Sequence, residues 1–207
     1  MKALILIDLQ NDFMPKGALA VPDAHHCIDA ANHAQQFFNV VIATKDWHPE
    51  QHLSFAANHH DKLPGEVIDL YGLKQTLWPI HCVQNTEGAA LVKGLNQSKI
   101  AHVVTKGQDV NVDSYSAFFD NARRHETGLR YYLEQRGIDE IFLLGVALEY
   151  CVKFSALDAK SIGLKTNVIL DGCRGIGLAQ NDIADAIADM KDHGILMTTL
   201  NEIAHEP

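Results

Sequence analysis

Six near-continuous apolar runs, separated by segments with helical periodicity, constrain the fold of this chain more than any other feature. Each run has the length of a β-strand. Its hydrophobicity is continuous rather than alternating, which is typical of strands buried on both faces of a parallel sheet. The six runs cover residues 3–9, 39–44, 100–105, 140–146, 166–170 and, more weakly, 194–199.

Helical patterns fill most of the intervals between these runs. Apolar residues recur at helical spacing in the segments 23–38, 128–136, 148–161 and 181–192. Alternation of strands and helices favours a doubly wound α/β fold with right-handed crossovers. Because no repeat, low-complexity tract or linker interrupts this order, we predict a single three-layer, Rossmann-like domain over residues 1–207, with a mainly parallel six-stranded sheet.

One long segment, from about residue 46 to residue 87, does not follow this rhythm. It holds histidines, prolines and tryptophans but little periodicity. Long loops within compact domains are usually either functional or disordered. The aromatic and histidine content argues against disorder, so we expect a functional loop region here.

Charge and composition exclude several classes of partner. The net charge is −9, with 26 acidic and 17 basic residues and no basic stripe, which argues against binding to nucleic acid or to an anionic membrane. No apolar run approaches the roughly 20 residues of a membrane-spanning helix, and the N-terminal run lacks a signal-peptide cleavage site. The four cysteines are widely spaced, which indicates free thiols. We therefore expect a cytoplasmic protein.

Asp46, His48 and His52 form the first group of residues with a chemical pattern, and His81 lies further along the chain. Asp46 follows the second predicted strand, and one helical turn would place His48 and His52 on the same face. Imidazole and carboxylate ligands suit zinc, iron, nickel or copper and leave positions open for substrate. A solvated histidine-rich loop would account for the same residues, and the histidine pair 59–60 could compete for the ligand role.

Cys151 differs from the other cysteines in its position at a strand-to-helix turn. The strand ends near Val146 and the helix begins near Leu148, so unpaired N–H groups and the helix dipole lie close to the thiol. They would lower the pKa of the cysteine and could bind an oxyanion. The alternative is a small buried core residue, which most cysteines are.

Asp8 and Lys106 each close an apolar strand. Because a buried carboxylate is costly without a partner, Asp8 is either functional, as the base for a neighbouring thiol, or a structural cap or ion pair. Lys106 could stabilise a carboxylate–thiolate pair, although a lysine after a strand is usually solvated. The carboxyl ends of parallel strands open onto one crevice, so we predict that Asp8, Asp46, Lys106 and Cys151 meet there.

These motifs, in this order, resemble those of the nicotinamidases, which belong to the isochorismatase-like cysteine hydrolases. The matching segments are 3–13, 44–52, 78–82, 106–107 and 145–152, and they span most of the chain. The segment 44–52 is the most specific, since the wider hydrolase family shares the catalytic triad but generally lacks these metal ligands. The resemblance therefore implies an isochorismatase-like domain with a metal-binding loop region at about 46–87.

The resemblance also implies a role for each matching residue. The implied catalytic residues are Cys151 as the nucleophile, Asp8 as the base and Lys106 as the stabilising cation. The N–H groups of Ala147 and Cys151 would form the oxyanion hole, beside a cis peptide bond that precedes Ala147. The implied metal ligands are Asp46, His48, His52 and His81, and the implied ring-binding residues are Phe13, Trp78 and Tyr115.

The implied reaction is the hydrolysis of nicotinamide to nicotinate and ammonia in NAD salvage, with pyrazinamide as a further substrate. The implied cofactor is one divalent transition metal, zinc first and iron or manganese as alternatives. The turn 148–150 reads Leu-Glu-Tyr, where relatives often have an Asp and a His or Tyr, a difference at the pocket rim. Two other hypotheses remain, a hydrolase of other amides or vinyl ethers that needs no metal, and a metal-binding protein in which Cys151 is inert. Association of the chain into a homo-oligomer is left open.

Overall fold

A computed structural model describes residues 1–205 and contains a six-stranded sheet flanked by helices. All neighbouring strands of this sheet are parallel, in the order β5-β2-β1-β6-β7-β8. The predicted fold class is therefore confirmed. The strands, including a separate hairpin, are β1 (Lys2–Ile7), β2 (Val41–Asp46), β3 (Val67–Leu70), β4 (Leu73–Thr76), β5 (Ile100–Lys106), β6 (Glu140–Val146), β7 (Lys165–Arg174) and β8 (Leu196–Thr198).

The central strand β1 shows why the apolar runs are continuous. It pairs with β2 on one side and β6 on the other. Every residue from Ala3 to Ile7 is completely buried. Because both faces of the strand are covered, a polar residue is disfavoured on either face, and the alternation of a half-exposed strand is absent.

Among the described residues, four helices lie close to their predicted positions but are shorter, and a fifth, near the C-terminus, was not predicted. They are α1 (His26–Ala34), α2 (Leu129–Gln135), α3 (Lys153–Ser161), α4 (Asp182–Asp192) and α5 (Leu200–Ala204). The predicted helix 148–161 is in fact two elements, since a π-helical turn at Leu148–Val152 precedes α3. In this turn the N–H of Val152 donates to the carbonyl of Ala147, which widens it. Among the described residues, no helix is long and apolar enough to cross a bilayer.

An antiparallel hairpin of β3 and β4 lies within the segment 46–87 and was not predicted. Tyr71 and Gly72 form its two-residue turn, with φ angles of 55° and 86°. Positive φ at both positions is typical of a type I′ turn, which usually contains Asn-Gly or Asp-Gly. Because tyrosine occupies the first turn position, the sequence lacks the Asn-Gly or Asp-Gly pair that would have predicted a hairpin, and only a loop was predicted.

Candidate active site

The order of the strands brings the predicted catalytic residues to one edge of the sheet. Four adjacent strands, β5, β2, β1 and β6, end there. Asp8 directly follows β1, and Cys151 lies in the turn after β6. Asp46 and Lys106 are the last residues of their strands and are register partners. Open α/β sheets bind ligands at this edge.

Lys106 is the centre of a buried ionic cluster. Its Nζ lies 2.9 Å from Asp8 Oδ2 and forms an ion pair with Asp46 Oδ1. The same atom donates to Cys151 Sγ at 3.3 Å and to the carbonyl of Ser114 at 3.1 Å. Because the side chain is fully buried, the alternative of a solvated lysine is wrong.

Lys106 and Asp46 both carry their charges in this cluster. Burial disfavours the charged carboxylate of Asp46, but Lys106 and His48 outweigh burial and hold its pKa well below the usual range. Burial also disfavours the ammonium of Lys106, but Asp46 and Asp8 raise its pKa well above the usual value. The two residues therefore form a fixed ion pair beside the thiol.

The pKa values of Asp8 and Cys151 are both raised, which favours the neutral form of each group. Burial raises the pKa of Asp8, and Lys106 only partly opposes the rise. Burial also raises the pKa of the Cys151 thiol well above its usual value, and the carboxylates of Asp8 and Asp46 add to this effect. The expectation of a lowered cysteine pKa was therefore wrong, because burial and the two carboxylates together outweigh the opposing charge of Lys106. A base must remove the thiol proton.

Asp8 is positioned to be that base. The ligating atoms of Asp8, Asp46 and Cys151 all lie within 4.8 Å of one another, so the carboxylate of Asp8 is close to the thiol of Cys151. The hydroxyl of Thr44 donates to Asp8 Oδ1 at 2.5 Å, and the N–H of Asp8 donates to Thr44 Oγ1 at 3.1 Å. These bonds fix a residue that has a positive φ of 50°.

The turn that carries Cys151 follows a cis peptide bond between Val146 and Ala147, as the resemblance implied. Gly145, which precedes it, has a φ of 133°. A Cβ at this position would lie 2.1 Å from the carbonyl oxygen of Ile7. Only glycine therefore lets the end of β6 approach β1, and this contact places the turn beside Asp8.

Asp46, His48 and His81 form a buried group that fits a metal ion. Asp46 Oδ2 lies 3.7 Å from the Nε2 atoms of His48 and His81. The Nδ1 atoms of the two histidines donate to the carbonyls of Gly107 and Pro79, both at 2.8 Å. A carbonyl can only accept, so each Nδ1 carries a proton, and each ring in its neutral form has a lone pair on Nε2, the atom that lies near Asp46. One carboxylate and two imidazoles suit zinc and similar metals.

His52 lies beside this group but has different hydrogen bonds. Its Nδ1 lies 2.7 Å from the hydroxyl oxygen of Ser54 and 3.1 Å from the backbone nitrogen of Ser54, and its Nε2 has no hydrogen-bond partner among the described residues. Burial lowers the pKa of His52 to about 4, which keeps the ring neutral. Among the described residues, no candidate metal group contains all four predicted ligands, and His52 groups with His48 and Asp113.

The pair His59 and His60 does not compete for a metal. The ring of His60 is 94% exposed and pairs with Asp61. His59 Nε2 donates to the carbonyl of Leu53 at 2.8 Å. The alternative of a solvated histidine-rich loop applies to His60 and not to the buried residues Asp46, His48 and His81.

A small cavity connects the thiol with the candidate metal ligands. The predicted ring-binding residues Phe13, Trp78 and Tyr115 line it, together with Ala147 and Cys151. The indole N–H of Trp78 donates to the hydroxyl of Tyr115 at 3.2 Å, and Phe13 contacts the ring of His81. The cavity is therefore lined by aromatic rings around the thiol, as expected for a planar aromatic substrate.

Several residues of this site were not predicted from the sequence. Asp113 lines the cavity and is buried, and Gln75 on β4 donates to it at 3.1 Å. Gln10 holds Asp46 from the other side, accepting from its N–H and donating to its carbonyl, both at 2.8 Å. Asp113 follows β5 in an aperiodic segment, so no pattern marked it. Gln10 stands in the segment 3–13 that carries part of the resemblance, but only its contacts reveal its role.

Comparisons with known proteins agree with this geometry. The sequence model of the isochorismatase domain matches residues 2–202. The chain is 49% identical to the nicotinamidase of Escherichia coli over 205 residues, which cover 96% of this chain and 95% of the relative.

Solved structures show the same likeness. A nicotinamidase and pyrazinamidase from Acinetobacter baumanii superposes with a TM-score of 0.95 at 40% identity, over 98% of this chain and 97% of that chain. A pyrazinamidase from Pyrococcus horikoshii in complex with zinc superposes with a TM-score of 0.77 at 34% identity, over 96% of this chain and 98% of that chain.

Proposed function

The chain belongs to the isochorismatase domain family, and from this premise we propose that it is a nicotinamidase, which hydrolyses nicotinamide to nicotinate and ammonia. The observation that carries the proposal is the contact of Lys106 Nζ with both Asp8 and Cys151, because Cys151 lines a cavity that the candidate metal group also lines. A cysteine, its base and a buried cation at one crevice suit nucleophilic amide hydrolysis.

The first half of the reaction forms a thioester. Asp8 accepts the proton of the Cys151 thiol, and the thiolate attacks the carboxamide carbon. The N–H groups of Ala147 and Cys151 donate to the oxyanion. Asp8 then returns the proton to the leaving nitrogen, which departs as ammonia. The raised pKa of Asp8 suits this role, because the group must both take and return a proton near neutral pH.

The second half of the reaction uses the same groups. Asp8 accepts a proton from water, which attacks the thioester carbon. The bond to Cys151 Sγ breaks, nicotinate leaves, and the sulfur recovers the proton. Throughout both halves, the ammonium of Lys106 stabilises whichever of Asp8 and Cys151 is negatively charged, since it contacts both.

Asp46, His48 and His81 would hold one divalent metal, with zinc supported by the pyrazinamidase complex and by the donor set. When bound, the metal supplies an open coordination position for the pyridine nitrogen, which orients the ring. Phe13, Trp78 and Tyr115 would then pack against the ring, and the carboxamide would face Cys151. Pyrazinamide presents the same nitrogen and carboxamide, so we propose it as a second substrate.

This activity places the protein in NAD salvage, with small molecules as its partners. All four cysteines are free and buried, which supports the cytoplasmic location expected from the sequence. Hydrolysis of other amides without a metal is less well supported, because it leaves the buried Asp46, His48 and His81 group without a purpose.

Ammonia release from nicotinamide tests the proposed function. The purified enzyme is expected to release one ammonia per nicotinate formed. Treatment with a strong chelator should lower kcat/KM by at least about 100-fold, since orientation of the ring is lost, and added zinc should restore it. Chelated enzyme with full activity would contradict the metal's role, and no ammonia from nicotinamide would refute the proposal.

Metal content distinguishes the ligands from their neighbour His52. The variants His48→Ala and His81→Ala are expected to lose stoichiometric metal, because each removes a free Nε2 lone pair. His52→Ala should keep its metal with affinity weakened by about 10- to 100-fold at most, as for a residue that only supports the ligands. The control is His59→Ala, which should be unchanged. Loss of metal from His52→Ala at saturating zinc would restore the original prediction of a fourth ligand.

A further inference from the structure

Glu149 is a buried acid that the proposed mechanism does not use. It lies in the same turn as Cys151 and is only 6% exposed. Its Oε1 accepts from the N–H groups of Ile176 at 2.8 Å and Gly177 at 2.7 Å. One carboxylate oxygen therefore holds two consecutive N–H groups of the loop that follows β7.

The loop approaches Glu149 more closely than a side chain would allow. A Cβ at Gly175 would lie 2.6 Å from Glu149 Oε2 and 2.8 Å from the side chain of Ile183. Gly177 has a positive φ of 65°, so the loop turns sharply just after the contact. Glycines on both sides of Ile176 thus permit the close fit of this loop against the carboxylate.

Ile176 is the residue that this contact presents to the active site. It lines the cavity that also contains Cys151, Trp78 and Tyr115. Tyr150, between Glu149 and Cys151, packs edge-on against Trp78 with ring centroids 5.0 Å apart. One short turn therefore carries three residues of the site. They are the proposed nucleophile Cys151, the aromatic residue Tyr150, and Glu149, which accepts the hydrogen bonds that hold the loop of Ile176.

We propose that Glu149 is a positioning residue that holds Ile176 against the substrate ring, and that this contact determines which ring substituents the enzyme accepts. The proposal rests on the proposed nicotinamidase function. Its physical basis is that hydrogen bonds from two consecutive N–H groups fix the loop more firmly than van der Waals contacts alone. Because Glu149 and Cys151 share a turn, the position of Ile176 is set relative to the thiol.

Steady-state kinetics of three variants test the proposal. Glu149→Ala releases the loop, and Ile176→Ala removes the wall while leaving the two hydrogen bonds. Both are expected to raise KM for nicotinamide about tenfold with kcat within about threefold of wild type, because binding is lost and the chemistry is intact. Glu149→Gln keeps an acceptor oxygen and should stay within about threefold of wild type in both constants.

Ring-substituted amides report the specificity directly. With 4-, 5- and 6-methylnicotinamide, wild type should discriminate against the methyl group that faces Ile176. That discrimination in kcat/KM should fall about tenfold in both alanine variants, as expected for one methyl group in an apolar pocket. Glu202→Ala, which removes an acid that caps α5, is the control and should leave the profile unchanged.

Hydrogen exchange separates this proposal from the proposed function, because it needs no substrate. The amides of Ile176 and Gly177 should exchange about tenfold faster in Glu149→Ala than in wild type. If Glu149→Ala does not fold, Gly175→Ala displaces the loop and should give the same kinetics. Unchanged exchange, or unchanged KM and discrimination in an active enzyme, would overturn the proposal, whereas wild type without nicotinamidase activity would overturn only the function.

Discussion

Cys151→Ala is expected to reduce ammonia release from nicotinamide by on the order of 10⁵-fold, the largest effect on activity of any substitution considered. Without the sulfur no thioester can form, and neither Asp8 nor Lys106 can replace it as a nucleophile. The measurement is kcat/KM for nicotinamide, with metal content determined on the same sample. Cys151 is not among the proposed metal ligands Asp46, His48 and His81, so the variant should keep its metal.

Cys27→Ala is the matched control for loss of a thiol. Cys27 is completely buried in α1 and is not among the residues that line the cavity. Its replacement should cost about 1 kcal/mol of stability and leave kcat/KM unchanged. If Cys151→Ala kept more than about one hundredth of the wild-type activity, the nucleophile assignment would be contradicted, because no thioester can form without the sulfur.

Lys106→Met is expected to have the largest effect on stability. The substitution keeps the length of the side chain but leaves two buried carboxylates, Asp8 and Asp46, without their shared cation. Removal of one partner of a buried ion pair typically costs about 3–5 kcal/mol. The free energy of unfolding, measured by urea titration, should fall by about that amount. Activity should also be lost, because Lys106 contacts Asp8 and Cys151.

An exposed lysine and a double variant provide the controls. Lys62 forms an ion pair with Glu66 at 2.8 Å on the protein surface, so Lys62→Met should leave the free energy of unfolding close to that of wild type. Asp8→Asn removes one of the two carboxylates, and Asp8→Asn combined with Lys106→Met should regain part of the stability lost in Lys106→Met alone. If the changes in unfolding free energy of the two single variants simply add in the double variant, the charges of Asp8 and Lys106 do not interact.

The fold could be predicted because its strands are covered on both faces. In β1 every position from Ala3 to Ile7 is buried, so the sequence itself carries the signature of a central parallel strand. The hairpin of β3 and β4 could not be predicted in the same way. Its strands are partly exposed, and Tyr71 occupies a turn position where the usual asparagine or aspartate would have marked the hairpin.

The candidate site was predictable where residues close a strand. Asp8, Asp46 and Lys106 each follow an apolar run, and the parallel sheet brings such positions to one edge. Asp113 and Gln75 lie outside the main sheet and are joined only through a tertiary contact. Local spacing likewise suggested that His52 is a metal ligand together with Asp46 and His81, whereas in three dimensions it groups with His48 and Asp113.

The sequence by itself determined the fold class, the edge of the sheet where the site lies and the residue types that meet there, because these depend on hydrophobic pattern and strand order. Protonation states and loop positions were decided only by the tertiary structure. The pKa of Cys151 is raised rather than lowered because burial and two carboxylates act on it together. Glu149 holds Ile176 through a contact between residues far apart in sequence. Both effects depend on distances in three dimensions, which sequence spacing does not specify.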